Sequence, residues 1–191
     1  MHSRSVNKEQ DVELNKEIYI HVGPPKTGTS AVQKWLSSNP SFLKEHGIYY
    51  PSHSVDINGV SSGNVRNIYD VDEAKKFTLN KDRLSKMLDV FSVSEYTSLL
   101  LSSEFFFRRM DELKAHMPKA KFIVYVRNPM EVRESNYNQS VKRHFQLEKI
   151  NTTRSNCLPN MARLVEFTDT YGPQDVHLRP YGANYFKRGN I

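Results

Sequence analysis

The run Ile18-Tyr19-Ile20-His21-Val22, followed at once by Gly23-Pro24-Pro25-Lys26-Thr27-Gly28-Thr29-Ser30, constrains the fold more than any other part of the chain. An apolar, β-branched stretch stops at a Gly/Pro-rich turn, and the turn runs into a helix-like stretch from Ala31 to Ser38. A strand, a tight loop and a helix N-terminus in that order make an anion site. Backbone N–H groups and the positive helix end face outward together, and Lys26 adds a full charge. The ligand this predicts carries phosphate or a similar oxyanion. The loop departs from the nucleoside-triphosphate consensus G-x-x-x-x-G-K-[ST]. Gly23 and Gly28 have the right separation, but Thr29 stands where the lysine belongs, and the lysine lies inside the loop. That departure argues against an ordinary ATPase or GTPase.

A second segment repeats the arrangement about a hundred residues later. Lys121-Phe122-Ile123-Val124-Tyr125-Val126 reads as a buried strand, followed by Arg127-Asn128-Pro129 and a helical stretch from Met130 to Phe145. Asn128 is a good N-cap, and Pro129 suits the first helical position. Met130, Val132, Tyr137, Val141 and Phe145 are loosely compatible with one apolar helix face.

The form Lys26-Thr27-Gly28-Thr29-Ser30 after a strand resembles the 5′-phosphosulfate loop of sulfotransferases that use 3′-phosphoadenosine 5′-phosphosulfate (PAPS). In that family an Arg at a strand end and a Ser eight residues later hold the 3′-phosphate, often within R-[ND]-P. Arg127 and Ser135 stand at that spacing, with Tyr137 two residues on. The segment Phe42 to Pro51 is similar to the one that follows the first helix in many members, and the resemblance runs from Ile18 to about Phe186. It implies a three-layer αβα fold with a central parallel sheet, of the P-loop-like sulfotransferase type. It also implies PAPS as co-substrate without a metal, and transfer of a sulfuryl group to a hydroxyl or amine of a carbohydrate or small molecule. Pro25, Lys26, Thr27, Gly28, Thr29, Ser30, Arg127 and Ser135 are the cofactor-binding residues it implies. In many relatives a sequence like Arg179-Pro180-Tyr181 precedes further helices and a loop that closes over the cofactor, so the expectation is one domain over 17–191, short at its C-terminus.

Composition limits the other classes. A chain of 191 residues suffices for one domain with a core. Net charge is +6, and residues 108–154, with eleven Lys/Arg against five Asp/Glu, carry all of it. A basic region beside the second motif suits an anionic cofactor, while most of these charges read as a solvated helix face. Glu131, Glu134 and Glu148 interrupt the basic residues and no nucleic-acid motif is present, so nucleic acid is not an expected partner. The single Cys157 rules out an internal disulfide framework and reads as a structural thiol. Residues 1–17 have no apolar signal core, and no stretch of about twenty apolar residues follows, so the expectation is a soluble, cytoplasmic protein. Oligomeric state is not legible.

Strands alternating with helices indicate a parallel sheet covered on both faces. Residues 1–16 read as a flexible tail, 18–22 as the first strand, 28–38 as the first helix, and 52–70 as a long loop facing the acceptor. Further helices are expected over 81–91, 105–116, 129–145 and 160–171, with strands at 97–102, 121–126 and 175–181. Both anion motifs then fall at strand C-termini, where ligands sit in such folds.

Sulfuryl transfer needs in-line positioning, a stabilised leaving phosphate and removal of the acceptor's proton. Lys26 is the candidate for the leaving group, because charge grows on the 5′-phosphate as the S–O bond breaks. Glu104 lies just past the strand ending in Ser102 and resembles the Glu of an S-S-E element in related sequences. Phe105, Phe106 and Phe107 offer it an apolar shell that raises its pKa toward a useful base. The plainer alternatives are that it caps the following helix or pairs with Arg108. His21 reads as structural or as a wall of the site, and His53 and His144 as weaker base candidates. No His/Cys/Asp cluster has metal-ligand spacing. Two other readings stay open: a non-catalytic nucleotide-binding remnant, and a kinase with an atypical loop that needs Mg²⁺.

Overall fold

The apolar run at the head of the chain forms β1 (Glu17–Val22), the middle strand of a five-stranded, fully parallel sheet. A computed structural model describes residues 16–55, 61–145, 147–149 and 158–186. The other strands in chain order are β2 (Ile48–Tyr49), β3 (Tyr69–Val71), β4 (Phe77–Leu79), β5 (Ser98–Ser102), β6 (Lys121–Arg127) and β7 (Val176–Tyr181). The sheet order is β2-β5-β1-β6-β7, and β3 and β4 pair separately as an antiparallel ribbon. The helices are α1 (Thr29–Ser38), α2 (Pro40–Glu45), α3 (Val65–Ile68), α4 (Lys81–Ser92), α5 (Met110–His116), α6 (Pro129–His144) and α7 (Leu158–Tyr171). The architecture is the three-layer α/β one expected from the alternation of strands and helices.

Period-two burial builds the core. Ile20 and Val22 of β1, Leu99 and Leu101 of β5, and Phe122 and Val124 of β6 are all at zero exposure. Alternate residues of a strand point to the same face, so these six line one side of the sheet. Phe167 of α7 meets Phe122 edge-on at 5.0 Å, and Phe106, Met110 and Leu113 fill the same core.

Strand order also places the site. After β1 the chain lays down β2 and β5 on one side, then crosses to build β6 and β7 on the other. β1 therefore stands at the topological switch point, and the crevice beyond its carboxyl end is where such sheets bind ligands.

Four segments differ from expectation. Residues 105–116 are not one helix: a 3₁₀ turn over Glu104–Arg109 precedes α5. The Ser103 hydroxyl accepts from the Phe105 N–H and starts that turn, which buries Phe106 and Phe107 before α5 buries Met110. The long loop at 52–70 contains α3 and the start of β3, because Val65, Ile68 and Tyr69 are buried core residues beneath a polar composition. Of the proposed tail, residues 1–15 lie outside the described residues, but Lys16 is pinned. Its ammonium donates to the carbonyls of Ser94, at 2.6 Å, and Tyr96. The apolar stripe on α6 is not a buried face either: Val132 is buried, while Met130, Val141 and Phe145 are exposed.

Phe122→Ala is expected to lower the unfolding free energy by about 3–5 kcal/mol, since it empties the space between sheet and α7. Chemical denaturation checks this, and a loss under 1 kcal/mol would contradict the packing described.

Candidate functional site

The loop between β1 and α1 has an unusual backbone. Lys26 and Gly28 both have left-handed φ values, 72° and 75°. A non-glycine residue there is uncommon, and such an outlier, held by its surroundings, marks functional loops. Three contacts hold it. The buried Thr27 hydroxyl donates to the Pro24 carbonyl at 2.7 Å. A Cβ on Gly23 would lie 2.3 Å from Thr29 Oγ1 and 2.8 Å from Thr27 Oγ1, so the threonines pack onto a position only glycine allows. The Lys26 carbonyl accepts from an Arg127 Nη at 3.2 Å.

α1 starts without a side-chain cap and without an acidic residue in its first turn, so the helix itself offers its positive end no counter-charge. Thr29, at 6% exposure, has a hydroxyl with no hydrogen-bond partner among the described residues. A buried, unpartnered hydroxyl at an uncapped helix start suits an anion that supplies the missing acceptor. Ser30 and Pro25 are exposed beside it.

The second motif folds as its residues suggest. Arg127 ends β6, and the Asn128 side chain accepts from the Met130 N–H and caps α6, with Pro129 in the first turn. Ser135 follows on α6. Lys26, Arg127 and Ser135, from motifs a hundred residues apart, line one cavity of about 530 Å³. Glu131, Glu134, Asn138, Gln139 and Lys142 complete its wall. Arg127 is held on three sides: its Nε donates to Glu131 at 2.9 Å, one Nη to the Lys26 carbonyl, and its plane lies 5.2 Å from the Tyr181 ring centre. The Lys26 ammonium donates to the Gln139 side chain.

Glu104 does not line this cavity, but it stands two residues past the end of β5, next to β1. Burial pushes its carboxyl above the ordinary 4.5, and the Lys26 charge acts in the opposite sense. The two groups therefore sense each other across the end of the sheet. Glu104 neither caps the following turn, which Ser103 does, nor pairs with Arg108 among the described residues. The ground beneath it is rigid. The Ser103 N–H donates to the His21 carbonyl, the Ser103 hydroxyl to the Ser62 carbonyl, and Asn64 exchanges two bonds with Ser102.

The histidines divide differently. His21 is buried, with Nδ1 2.8 Å from Ser102 Oγ and Nε2 unpartnered. Burial takes its imidazole from the ordinary 6.5 down to about 4. His53 engages both ring nitrogens: Tyr50 and Ser37 hydroxyls sit at Nε2, and the Ser61 hydroxyl at Nδ1. It staples the 50–61 segment. The side chain of His144, like Cys157 and much of 146–160, lies outside the described residues.

Sequence reasoning missed Glu131, Gln139, Asn64 and Tyr181. The first two carried a signal, since residues 131, 135 and 139 recur every four positions on one face of α6. Asn64 and Tyr181 act through tertiary contacts that no local pattern announces.

Fold and site together define an α/β protein whose β1–α1 loop leaves a helix start without a side-chain cap at the switch point of its sheet. A family model described as the sulfotransferase family matches residues 19–181. The chain belongs to that family, a family of transferases. Among solved structures, a sulfotransferase from Alicyclobacillus acidocaldarius aligns over 86% of this chain and 73% of its own, at 19% identity and a TM-score of 0.50, a likeness of fold. A gluconokinase from Sinorhizobium meliloti aligns over 88% of this chain and 84% of its own, at 13% identity and a TM-score of 0.35. A retinol dehydratase in complex with androsterone and inactive cofactor PAP aligns over 85% of this chain and 53% of its own, at 12% identity and a TM-score of 0.24. The last two superpose too loosely to carry an argument. No curated protein matches the chain. Among the described residues, no helix is long and apolar enough to cross a membrane.

The buried His21 gives a pH dependence of known sign. Between pH 6.5 and about 4 the unfolded chain binds a proton there that the folded one refuses, so stability is complete above that window and lost on acidification. The loss is at most about 3 kcal/mol. Denaturation across pH 4–7 on the wild type and His21→Asn checks it, and equal slopes in both would assign the acid sensitivity elsewhere.

Proposed function

We propose that the chain transfers a sulfuryl group from PAPS to a hydroxyl or amine of a carbohydrate or small-molecule acceptor. The observation that carries this reading is the meeting of Lys26, Arg127 and Ser135 around one cavity, beside the unpartnered Thr29 hydroxyl. One cation and one helix start suit a 5′-phosphate, and the second cation with a hydroxyl eight residues on suits a 3′-phosphate. Family membership supports the transferase chemistry.

In this reading the N–H groups and hydroxyls of Thr29 and Ser30, with the Gly28 turn, hold the 5′-phosphate, while Pro25 and Thr27 shape the loop. Arg127 and Ser135 hold the 3′-phosphate. When bound, PAPS supplies an activated sulfuryl group whose S–O bond to the 5′-phosphate is the one broken. Lys26 neutralises the charge that grows on the leaving oxygen, a role electrostatic preorganisation makes large. Glu104 takes the proton from the attacking hydroxyl. Its desolvation raises its basicity, and the Lys26 charge opposes that shift.

Calorimetric titration with 3′-phosphoadenosine 5′-phosphate in the absence of metal, beside ATP with Mg²⁺, tests the cofactor. Tight binding of the bisphosphate and weak binding of ATP is the expected result, and the reverse selects a kinase. Lys26→Ala is expected to weaken bisphosphate binding roughly 10- to 100-fold, the worth of one charge-assisted contact. Unchanged affinity would remove Lys26 from the site. Glu104→Gln is expected to retain cofactor affinity and lose transfer. In the wild type the transfer rate is expected to rise with pH through a value above 4.5. Full transfer in Glu104→Gln would exclude it as base, and binding without turnover by the wild type on any acceptor of a hydroxyl and amine panel would favour the non-catalytic reading.

A further inference from the structure

We infer that Glu131 is an internal competitor of the 3′-phosphate for Arg127, and that it sets how fast the bisphosphate product leaves. The inference rests on the cofactor reading above and extends it to a residue that reading does not use. The Glu131 carboxylate accepts from Arg127 Nε at 2.9 Å and lines the same cavity as Ser135. It is thus an anion already seated on the guanidinium assigned to an anionic ligand.

Two opposite effects follow from such a contact, and their sizes decide between them. The first is orientation: an i,i+4 ion pair between a mostly covered guanidinium and a half-exposed carboxylate fixes the guanidinium, but such pairs near the surface contribute little. Arg127 also keeps its contacts to the Lys26 carbonyl and the Tyr181 ring without Glu131. The second is charge. A carboxylate in contact with Arg127 cancels much of the field a phosphate dianion would meet, and it repels that dianion across the cavity. Two unit charges several ångströms apart at a protein surface change an affinity by roughly 5- to 30-fold, and a phosphate carries nearly two charges. Charge wins, so Glu131 weakens 3′-phosphate binding. A transferase gains from this, because release of a tightly held product limits many enzymes.

The test compares wild type, Glu131→Gln and Glu134→Gln in calorimetry and stopped-flow dissociation, with 3′-phosphoadenosine 5′-phosphate and with 5′-AMP. Glu134→Gln removes the same charge from the same cavity, but Glu134 makes no ion pair with Arg127 among the described residues. Glu131→Gln is expected to bind the bisphosphate roughly 5- to 10-fold tighter, with dissociation slowed by a similar factor. Binding of 5′-AMP, which lacks the 3′-group, is expected to change less than about twofold, and Glu134→Gln to have a clearly smaller effect. Circular dichroism melting of the three proteins confirms equal folding. Weaker or unchanged bisphosphate binding in Glu131→Gln overturns the inference, as does equal tightening by Glu134→Gln or toward 5′-AMP. No bisphosphate binding by the wild type overturns the cofactor reading and this inference with it; binding without a difference among the variants overturns this inference alone.

Discussion

The site depends on a turn that the backbone resists. Between β1 and α1 the chain must reverse within a few residues, and Lys26 and Gly28 do so with left-handed φ values. Glycine does this freely, whereas lysine gives up about 1 kcal/mol. The conformation persists because its frame is rigid. β1 pairs with β5 from Glu17 to His21 and with β6 from Tyr19 to Val22, Ile20 and Val22 are fully buried, and the Thr27 hydroxyl ties the loop to Pro24. The same frame leaves the start of α1 uncapped and the Thr29 hydroxyl without a partner. A loop that only turned the chain would have no reason to leave either group unsatisfied.

Parallel pairing carries that rigidity outward. His21 is in register with Ser102 of β5, so the end of β1 and the start of the Glu104 turn lie side by side. On the other flank Val22 is in register with Val124 of β6, three residues before Arg127. Three side chains from distant parts of the sequence reach one edge because three adjacent strands end there. Nothing but strand order is needed to assemble them, which is why the fold and the site emerge from the same reading.

How much was legible follows from how local each cause is. Strands β1, β5 and β6 are legible because burial on a parallel sheet demands apolar runs, and those runs stand out in a chain of this composition. The start of α6 is legible because Asn128 and Pro129 encode a cap in adjacent residues. α3 was hidden because two buried residues, Val65 and Ile68, sit among Ser, Asn and Gly. The break at Arg109 was hidden because a 3₁₀ turn and an α-helix share almost the same apolar spacing over one turn. Arg127 was legible as a cation at a strand end. Its partners were not, since Tyr181 reaches it through the pairing of β6 with β7.

The polarity of α6 ties these observations together. Along its sixteen residues Val132 is a buried apolar contact, while Met130 and Val141 are exposed. A helix normally docks through an apolar stripe. This one turns a polar row, Glu131, Ser135 and Gln139, toward one cation on the β1–α1 loop and one at the end of β6, and two of those three side chains engage them. Lys26 and Arg127 line one cavity and repel each other, so each requires a compensating acceptor nearby. Glu131 gives one cation a full counter-charge, whereas Gln139 gives the other a neutral dipole. In the proposed reading the cation at the reacting end thus has a neutral hydrogen-bond partner and feels Glu104 without an ion pair to it among the described residues, while the one at the anchoring end has a carboxylate in direct contact. In that reading the asymmetry leaves the stronger field where charge develops, and a weaker grip where the product must let go.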